Sequence, residues 1–152
     1  MQLNKDLREF AGLLNSNKVE FVVVGAFAVG WHGFPRYTGD LDVLVRPSEA
    51  NGAAVVEAIR QFGFASLGIK KEDLARPGQV VQLGFEPSRI DLITSITGVE
   101  FEDAWERKIA GSIDGLPVFF IGFDDLIRNK EATGRPKDLG DAGELRKRRP
   151  KP

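Results

Sequence analysis

Hydrophobic positions along the chain follow two periods, the 3.6-residue repeat of helices and the alternating or continuous runs of strands. The helical repeat predicts helices over residues 2–16, 26–31, 48–61, 101–108, 124–133 and 138–148. Short apolar, β-branched runs predict strands over residues 20–24, 41–45, 80–85, 89–94, 109–113 and 116–121. Because helices and strands interleave, the sequence predicts an α/β (α+β) fold in which helices pack on a mixed β-sheet.

Turn-forming residues fix several ends of these elements. Ser48 is expected to cap the N-terminus of the third helix, and Gly63 to follow its last turn. Residues 86–88 separate two strands as a hairpin, and Asp114-Gly115 is a strong signal for a two-residue hairpin turn. These pairs of strands should therefore run antiparallel.

Length and composition bound the class of protein. A chain of 152 residues suits a single domain, expected over 1–145, with a basic C-terminal tail over 146–152. There is no cysteine, no apolar run of about 18 residues and no signal-peptide pattern, so we expect a cytoplasmic protein without a membrane partner. The basic tail would suit a polyanion such as RNA, or equally the solvated end of a helix.

Three aspartates carry the candidate chemistry. Asp40 and Asp42 stand two positions apart at the start of an apolar strand, so their side chains share one face, and Asp91 lies in a later apolar strand. Carboxylates held together repel one another unless a cation lies between them, and oxygen ligands suit Mg²⁺, with Mn²⁺ as the alternative. In the competing interpretation, Asp40 and Asp42 lie at the surface and pair with Arg36 or Arg89.

A glycine turn lies just upstream of these aspartates. Gly25 and Ala26 connect the strand over 20–24 to a helix, and glycine allows the backbone to approach a phosphate group closely. An ordinary strand-to-helix turn is the alternative for this glycine taken alone. Together with the aspartates, the turn favours metal-dependent phosphoryl or nucleotidyl chemistry.

This order of a strand, a glycine turn, an Asp-x-Asp strand and a remote third aspartate resembles the DNA polymerase beta-like nucleotidyltransferase superfamily. The segments that carry the likeness are similar in particular to small bacterial, abortive-infection toxin-like (minimal) nucleotidyltransferases. These segments are Gly25–Ala28, His32-Gly33, Arg36, Thr38, Asp40–Asp42, Leu126–Lys130, Gly134–Asp138 and Asp141. The match covers roughly residues 20–145 and implies the nucleotidyltransferase fold.

The resemblance also implies roles for individual residues. Asp40, Asp42 and Asp91 would be catalytic and would bind the metal, with Asp91 acting as base on the acceptor hydroxyl. The implied nucleotide-binding residues are Gly25, Ala26, Arg36, Thr38, Lys130 and Lys137. Ala26 departs from the glycine or serine usual in the family. For the two lysines a solvated helix face is the alternative, and His32 is expected to satisfy the backbone or cap a turn.

The functional hypothesis is a Mg²⁺-dependent nucleotidyltransferase that moves an NMP from an NTP to a hydroxyl of RNA, protein or a small molecule. The resemblance adds a toxin–antitoxin role with an antitoxin partner. A catalytically weak nucleotide-binding or partner-binding relative is the alternative, and Ala26 favours it. A metal-dependent phosphatase or nuclease would use the same carboxylates but accounts less well for the glycine turn.

Overall fold

The computed structural model describes residues 5–35, 39–85 and 88–149. In these residues, helices and strands alternate along most of the chain, as the hydrophobic periods predict. They are α1 Lys5–Ser16, β1 Phe21–Val24, α2 Gly25–Trp31, β2 Leu41–Val45, α3 Glu49–Gln61, β3 Val80–Leu83, β4 Ile90–Ile93, α4 Phe101–Glu106, β5 Ile109–Ile113, β6 Leu116–Phe120, α5 Phe123–Thr133 and α6 Pro136–Lys147.

The strands form one six-stranded sheet in the order β3-β4-β2-β1-β6-β5. The two hairpins β3–β4 and β5–β6 are antiparallel and form the outer pairs. Between these hairpins, β1 and β2 pair antiparallel. β4 pairs in parallel with β2, and β6 pairs in parallel with β1. The mixed sheet with packed helices is therefore confirmed, and its central strands read as continuous apolar runs because they are buried on both faces.

The pairing register brings the candidate residues to one edge of the sheet. Asp42 lies opposite Val24 on the antiparallel neighbour and opposite Asp91 on the parallel neighbour. Since Val24 is the last residue of β1, the chain turns at Gly25 directly beside Asp42. Sheet topology alone therefore assembles residues that are up to 66 positions apart, from Gly25 to Asp91.

The predicted turn chemistry is confirmed at three places. Ser48 Oγ accepts a hydrogen bond from the backbone N–H of Asn51 at 3.1 Å and caps α3. Gly63 follows α3 with a φ of 101°. Asp114 and Gly115 connect β5 to β6 with φ values of 52° and 78°, which matches a two-residue turn with both central residues at positive φ.

Several element ends differ from the predictions. The last helix begins at Pro136 rather than at 138, because a proline is favoured in a first turn, where its missing N–H costs nothing. β3 stops at Leu83, before Gly84 with its φ of 77°. α4 ends at Glu106, two residues early. Two unpredicted 3₁₀ turns occur at Ala65–Leu67 and Lys71–Leu74, while positions 2–4 and 86–87 lie outside the described residues.

The core forms where the apolar stripes of the helices meet the sheet. Its largest fully buried side chains include Phe10, Leu14, Leu44 and Phe120. Most aromatic residues pack as predicted, whereas Phe85 is 88% exposed and is an exception. None of the helices in the described residues is long and apolar enough to cross a membrane.

The C-terminal basic segment continues the last helix. α6 extends through Arg146 and Lys147, so the segment's first residues lie in a final helical turn, where cations are favoured. Arg146 Nη2 contacts Glu131 at 2.8 Å, and Arg149 Nη2 contacts Asp124 at 2.5 Å. Two of the positive charges of this segment thus pair with acidic residues of helix α5.

Candidate active site

Asp42 and Asp91 form the centre of the candidate site. They lie opposite each other on β2 and β4, and their side chains share a hydrogen bond. Burial, the charge of Asp91, this hydrogen bond and the charge of Asp40 together raise the pKa of Asp42 to about 7, although nearby Lys130 acts to lower it. Crowded carboxyls of this kind retain a proton or take up a cation near neutral pH.

Arg89 holds the third aspartate to this pair. Its Nε donates to Asp91 Oδ1 at 2.9 Å, and its Nη2 donates to Asp91 Oδ2 at 3.1 Å and to Asp40 Oδ2 at 3.0 Å. The competing surface interpretation predicts the pairing of Asp40 with Arg89, and this pairing occurs. That interpretation does not predict that Asp42 and Asp91 lie together, and they lie together in the same site.

Gly25 is a glycine for a specific steric reason. Its φ is 67°, in the left-handed region that side chains disfavour, and a Cβ added there would collide with Asp42 Oδ2. The turn therefore does more than reverse the chain, because it brings backbone against a carboxylate. Val24 provides no side-chain cap for the amides that follow.

A cavity of about 360 Å³ opens above these residues. Most of the predicted site residues line it, together with arginines and an aspartate that were not assigned a role. The lining residues are Gly25, Ala26, Asp40, Asp42, Arg89, Lys130, Arg135, Lys137 and Asp138. Asp91 is only 8% exposed and lies against the Arg89 guanidinium. Arg36 and Thr38, also predicted, lie outside the described residues.

Lys130 is buried, so the solvated-face interpretation is wrong for this lysine. Its Nζ lies 3.0 Å from Asp138 Oδ1 and 3.3 Å from Asp141 Oδ2. Burial would raise the pKa of Asp138, but hydrogen bonds from Thr133 and Lys130 and the Lys130 charge lower it overall. Lys137, by contrast, is exposed at the rim of the cavity.

Sequence reasoning gave Asp138 and Asp141 no role in the site. The available signal is their spacing of three residues, which places both on one face of α6. That face packs against α5 and meets Lys130. A lysine in a helix followed closely by two carboxylates at this spacing on the next helix indicates a buried ion-pair cluster.

A second cavity, of about 240 Å³, shares Gly25, Asp42 and Lys130 with the first in its lining. Hydroxyl and amide side chains contribute to its lining: Ser95, Thr97, Asn129 and Thr133. Asn129 Nδ2 donates to the Thr97 carbonyl at 2.9 Å and so connects α5 to the segment after β4. No local sequence signal marks this cavity, because its lining comes from strand ends, the irregular segment after β4 and the two helices α5 and α6.

His32 has a structural role, as expected. Its Nε2 lies 2.7 Å from the Ile121 carbonyl oxygen, and its ring contacts Phe123 edge-on at 5.5 Å between centroids. Burial lowers the pKa of His32, although the hydrogen bond to Ile121 acts in the opposite direction. A neutral ring that donates to a carbonyl is the state these contacts favour.

The carboxylates match the donor chemistry of Mg²⁺, which binds oxygen ligands. Within residues 5–35, 39–85 and 88–149, however, no three acidic, histidine or cysteine side chains have the arrangement of a formed metal centre. Here the Arg89 guanidinium holds Asp40 to Asp91. The carboxylate oxygens of the three aspartates are therefore suitable ligands for Mg²⁺. In the structure, the positive charge beside Asp40 and Asp91 is that of the Arg89 guanidinium.

Comparison with known proteins supports the fold. No protein-family profile and no curated protein sequence matches the chain. A proposed nucleotidyltransferase from Thermotoga maritima is similar over 93% of this chain and 88% of its own, with 18% identity and a TM-score of 0.55. The antibiotic-resistance factor ANT(2'')-Ia is similar over 92% of this chain and 80% of its own, with 12% identity and a TM-score of 0.58. The chain thus has the nucleotidyltransferase fold.

Proposed function

We propose that the protein is a metal-dependent nucleotidyltransferase that transfers an NMP from an NTP to a hydroxyl group. The observation that carries the proposal is the contact set around Asp42: a carboxyl that shares a hydrogen bond with Asp91 and packs against the Gly25 backbone. A site for anionic phosphates next to crowded carboxylates requires cations, and the fold matches proteins of this class.

Asp40, Asp42 and Asp91 are the residues that would hold Mg²⁺ or Mn²⁺. When bound, the ion would neutralise charge on the triphosphate and on the carboxylates. The Gly25 and Ala26 backbone lies at the cavity wall, where a phosphate can approach, and Lys137 provides a point charge at the rim. Lys130 adds a buried positive charge close to Asp42.

The reaction is an in-line displacement at the α-phosphorus. The acceptor oxygen forms a bond to that phosphorus, the bond to the β-phosphate bridging oxygen breaks, and pyrophosphate leaves. The acceptor proton passes to Asp91, the carboxylate proposed as base. Asp91 lies behind Arg89, so the guanidinium must shift before an acceptor reaches this carboxylate.

Binding of an NTP to the double variant Asp40→Asn/Asp42→Asn tests the metal assignment. Wild type should bind Mg²⁺·NTP in calorimetry and lose binding in EDTA, whereas the variant should bind in neither condition and remain folded. The exposed pair Asp103→Asn/Glu106→Gln on α4 removes the same charge and should bind like wild type. Undiminished metal-dependent binding in the Asp40/Asp42 variant would contradict the proposal.

A second candidate is a nucleotide-binding relative with weak or no transfer activity. Two observations favour it: Ala26 lacks a hydroxyl at the phosphate turn, and Arg89 covers the proposed base.

The acceptor class, whether RNA, protein or a small molecule, and the toxin–antitoxin role with its antitoxin partner are proposals that rest on the sequence resemblance. Detection of NMP transfer by wild type distinguishes the enzyme from the binding relative.

A further inference from the structure

Arg89 makes two-point contact with the very carboxylates proposed to bind the metal. Its guanidinium reaches both oxygens of Asp91 and one oxygen of Asp40, all within 3.1 Å. Its backbone carbonyl also accepts a hydrogen bond from Leu41 N–H at 3.0 Å, which ties the residue to the start of β2. The side chain therefore reaches the site from a fixed anchor.

Another arginine–aspartate cluster in the protein offers a comparison, and none of its members lines the two cavities of the candidate site. Asp125, whose side chain is 1% exposed, accepts hydrogen bonds from both Arg107 and Arg128. Two cations there surround one buried carboxylate. At the candidate site the guanidinium of Arg89 instead contacts two carboxylates, those of Asp40 and Asp91. A divalent ion, which prefers carboxylate oxygens, would compete with the guanidinium for these same two side chains.

The Arg89 side chain borders an open cavity into which it can move. It lines the 360 Å³ cavity, and its side chain is 29% exposed, whereas that of Asp91 is 12% exposed. A guanidinium released from the carboxylates would face the cavity that the phosphates are proposed to occupy. Arginine is well suited to both partners, because its planar fork binds carboxylate or phosphate with two hydrogen bonds.

We infer that Arg89 is a resident counter-cation that competes with the divalent metal for Asp40 and Asp91 and turns into the cavity when the metal binds. The inference rests on the proposed metal site. It assigns Arg89 a positioning role: the arginine keeps the carboxylates together without metal, covers Asp91, and then offers its guanidinium to the triphosphate.

Metal affinity in the Arg89→Met variant tests this competition without an activity assay. Binding of Mn²⁺ alone is measured by the loss of the free-ion electron paramagnetic resonance signal, and binding of Mg²⁺ by calorimetry. The variant should bind Mn²⁺ about 10-fold more tightly than wild type, equivalent to about 1.4 kcal/mol. In EDTA its Tm should fall below that of wild type, and saturating Mg²⁺ should recover the loss.

Arg135→Met is the matched control. Arg135 lines the same cavity but pairs with Asp138, so its loss removes an equal charge without freeing Asp40 or Asp91. Its Mn²⁺ affinity should stay within about twofold of wild type. If Arg89→Met does not fold in EDTA, Arg89→Lys keeps the charge but loses the two-point contact, and it should bind Mn²⁺ about threefold more tightly than wild type.

The outcomes separate this inference from the proposed function. Equal or weaker Mn²⁺ binding by the Arg89 variants, with clear binding by wild type, would mean that Arg89 supports the metal ligands; the inference fails and the metal site stands. Absence of binding by wild type and variants, with and without NTP, would overturn the metal site and the inference together.

Discussion

Asp42 and Asp91 lie opposite each other on parallel strands that the chain reaches 49 residues apart, and the two side chains share a hydrogen bond. Burial is the main reason why the pKa of Asp42 rises to about 7, and the charge of Asp91 and the shared hydrogen bond, which requires a proton on one of the two carboxyls, raise it further. The sheet therefore holds two carboxyls close together, and without a cation or a shared proton their repulsion destabilises the folded state.

The first prediction concerns pH and stability. Asp42 binds a proton in the folded state up to about pH 7, whereas an unfolded aspartate releases it near its ordinary pKa of 3.8. The folded state thus holds more protons in this window, so the Asp42 contribution to stability is largest at low pH and is lost as the pH rises toward 7. Asp42→Asn should remove this dependence.

Urea denaturation at several pH values measures the effect. Near pH 3.5, below the ordinary aspartate pKa of 3.8, the variant should resemble wild type, because the carboxyl is then protonated in both the folded and the unfolded state and resembles the amide. At pH 8 in EDTA the variant should be more stable by on the order of 2 kcal/mol. Saturating Mg²⁺ should stabilise wild type at pH 8 and leave the variant unchanged. A difference between the two proteins that is constant with pH would contradict the shared proton.

The second prediction concerns Gly25. Gly25→Ala should destabilise the protein by about 1–3 kcal/mol, because a methyl group collides with Asp42 at a backbone φ of 67°. Gly12→Ala in α1 is the matched control, since a Cβ there meets nothing within 4 Å and should stabilise the helix by about 0.5–1 kcal/mol. Equal stability of the Gly25 variant and wild type in chemical denaturation would show that the turn does not contact Asp42 in this way.

The third prediction separates the two predicted phosphate-binding lysines. Lys130→Met leaves two buried carboxylates without their shared cation and should cost about 3–5 kcal/mol of stability. Lys137→Met should change stability by less than about 0.5 kcal/mol, because the residue is exposed. It should nevertheless weaken Mg²⁺·NTP binding about two- to fivefold through the lost rim charge.

Adding Asp138→Asn and Asp141→Asn to Lys130→Met provides the control, since the triple variant no longer carries the two buried carboxylates that lose the Lys130 charge. It should recover part of the lost stability in thermal denaturation. A triple variant less stable than Lys130→Met would mean that the two aspartates stabilise α6 independently of the lysine.

The fourth prediction concerns Ala26. Ala26→Ser adds a hydroxyl that can donate to a charged phosphate oxygen, a hydrogen bond worth on the order of 1.5–3 kcal/mol at best. The variant should bind NTP more tightly in calorimetry, whereas Ala110→Ser on an exposed strand should not. An unchanged affinity in a folded Ala26 variant would show that the turn does not hold phosphate in the expected way.

The helices and strands could be predicted from the sequence because their formation depends on residues close together in the chain. The Ser48 cap, the Asp114-Gly115 turn and the apolar runs of β1 and β2 depend only on nearby residues, and all are confirmed. The predicted start of α6, at residue 138, is two residues late for a local reason as well, since a proline suits the first turn of a helix and Pro136 begins it.

The site was only partly predictable, because its decisive contacts join distant parts of the chain. The alternation of side chains in strands indicated that Asp91 could meet Asp42, and the register shows that it does. The competing interpretation of the sequence pairs Arg89 with Asp40, but nothing in the sequence indicates that the same guanidinium also contacts Asp91. The burial of Lys130 depends likewise on the packing of α6 against α5.

The most direct measurement of the central claim is transfer of label from an NTP to an acceptor in a cell extract, with Mg²⁺ or Mn²⁺. Label in the α-phosphate should reach an acceptor and label in the γ-phosphate should not, because an NMP is transferred and pyrophosphate leaves. Asp91→Asn should retain most Mg²⁺·NTP affinity and lose this transfer. No α-label transfer by wild type with any of the four NTPs, or undiminished transfer by Asp91→Asn, would contradict the account.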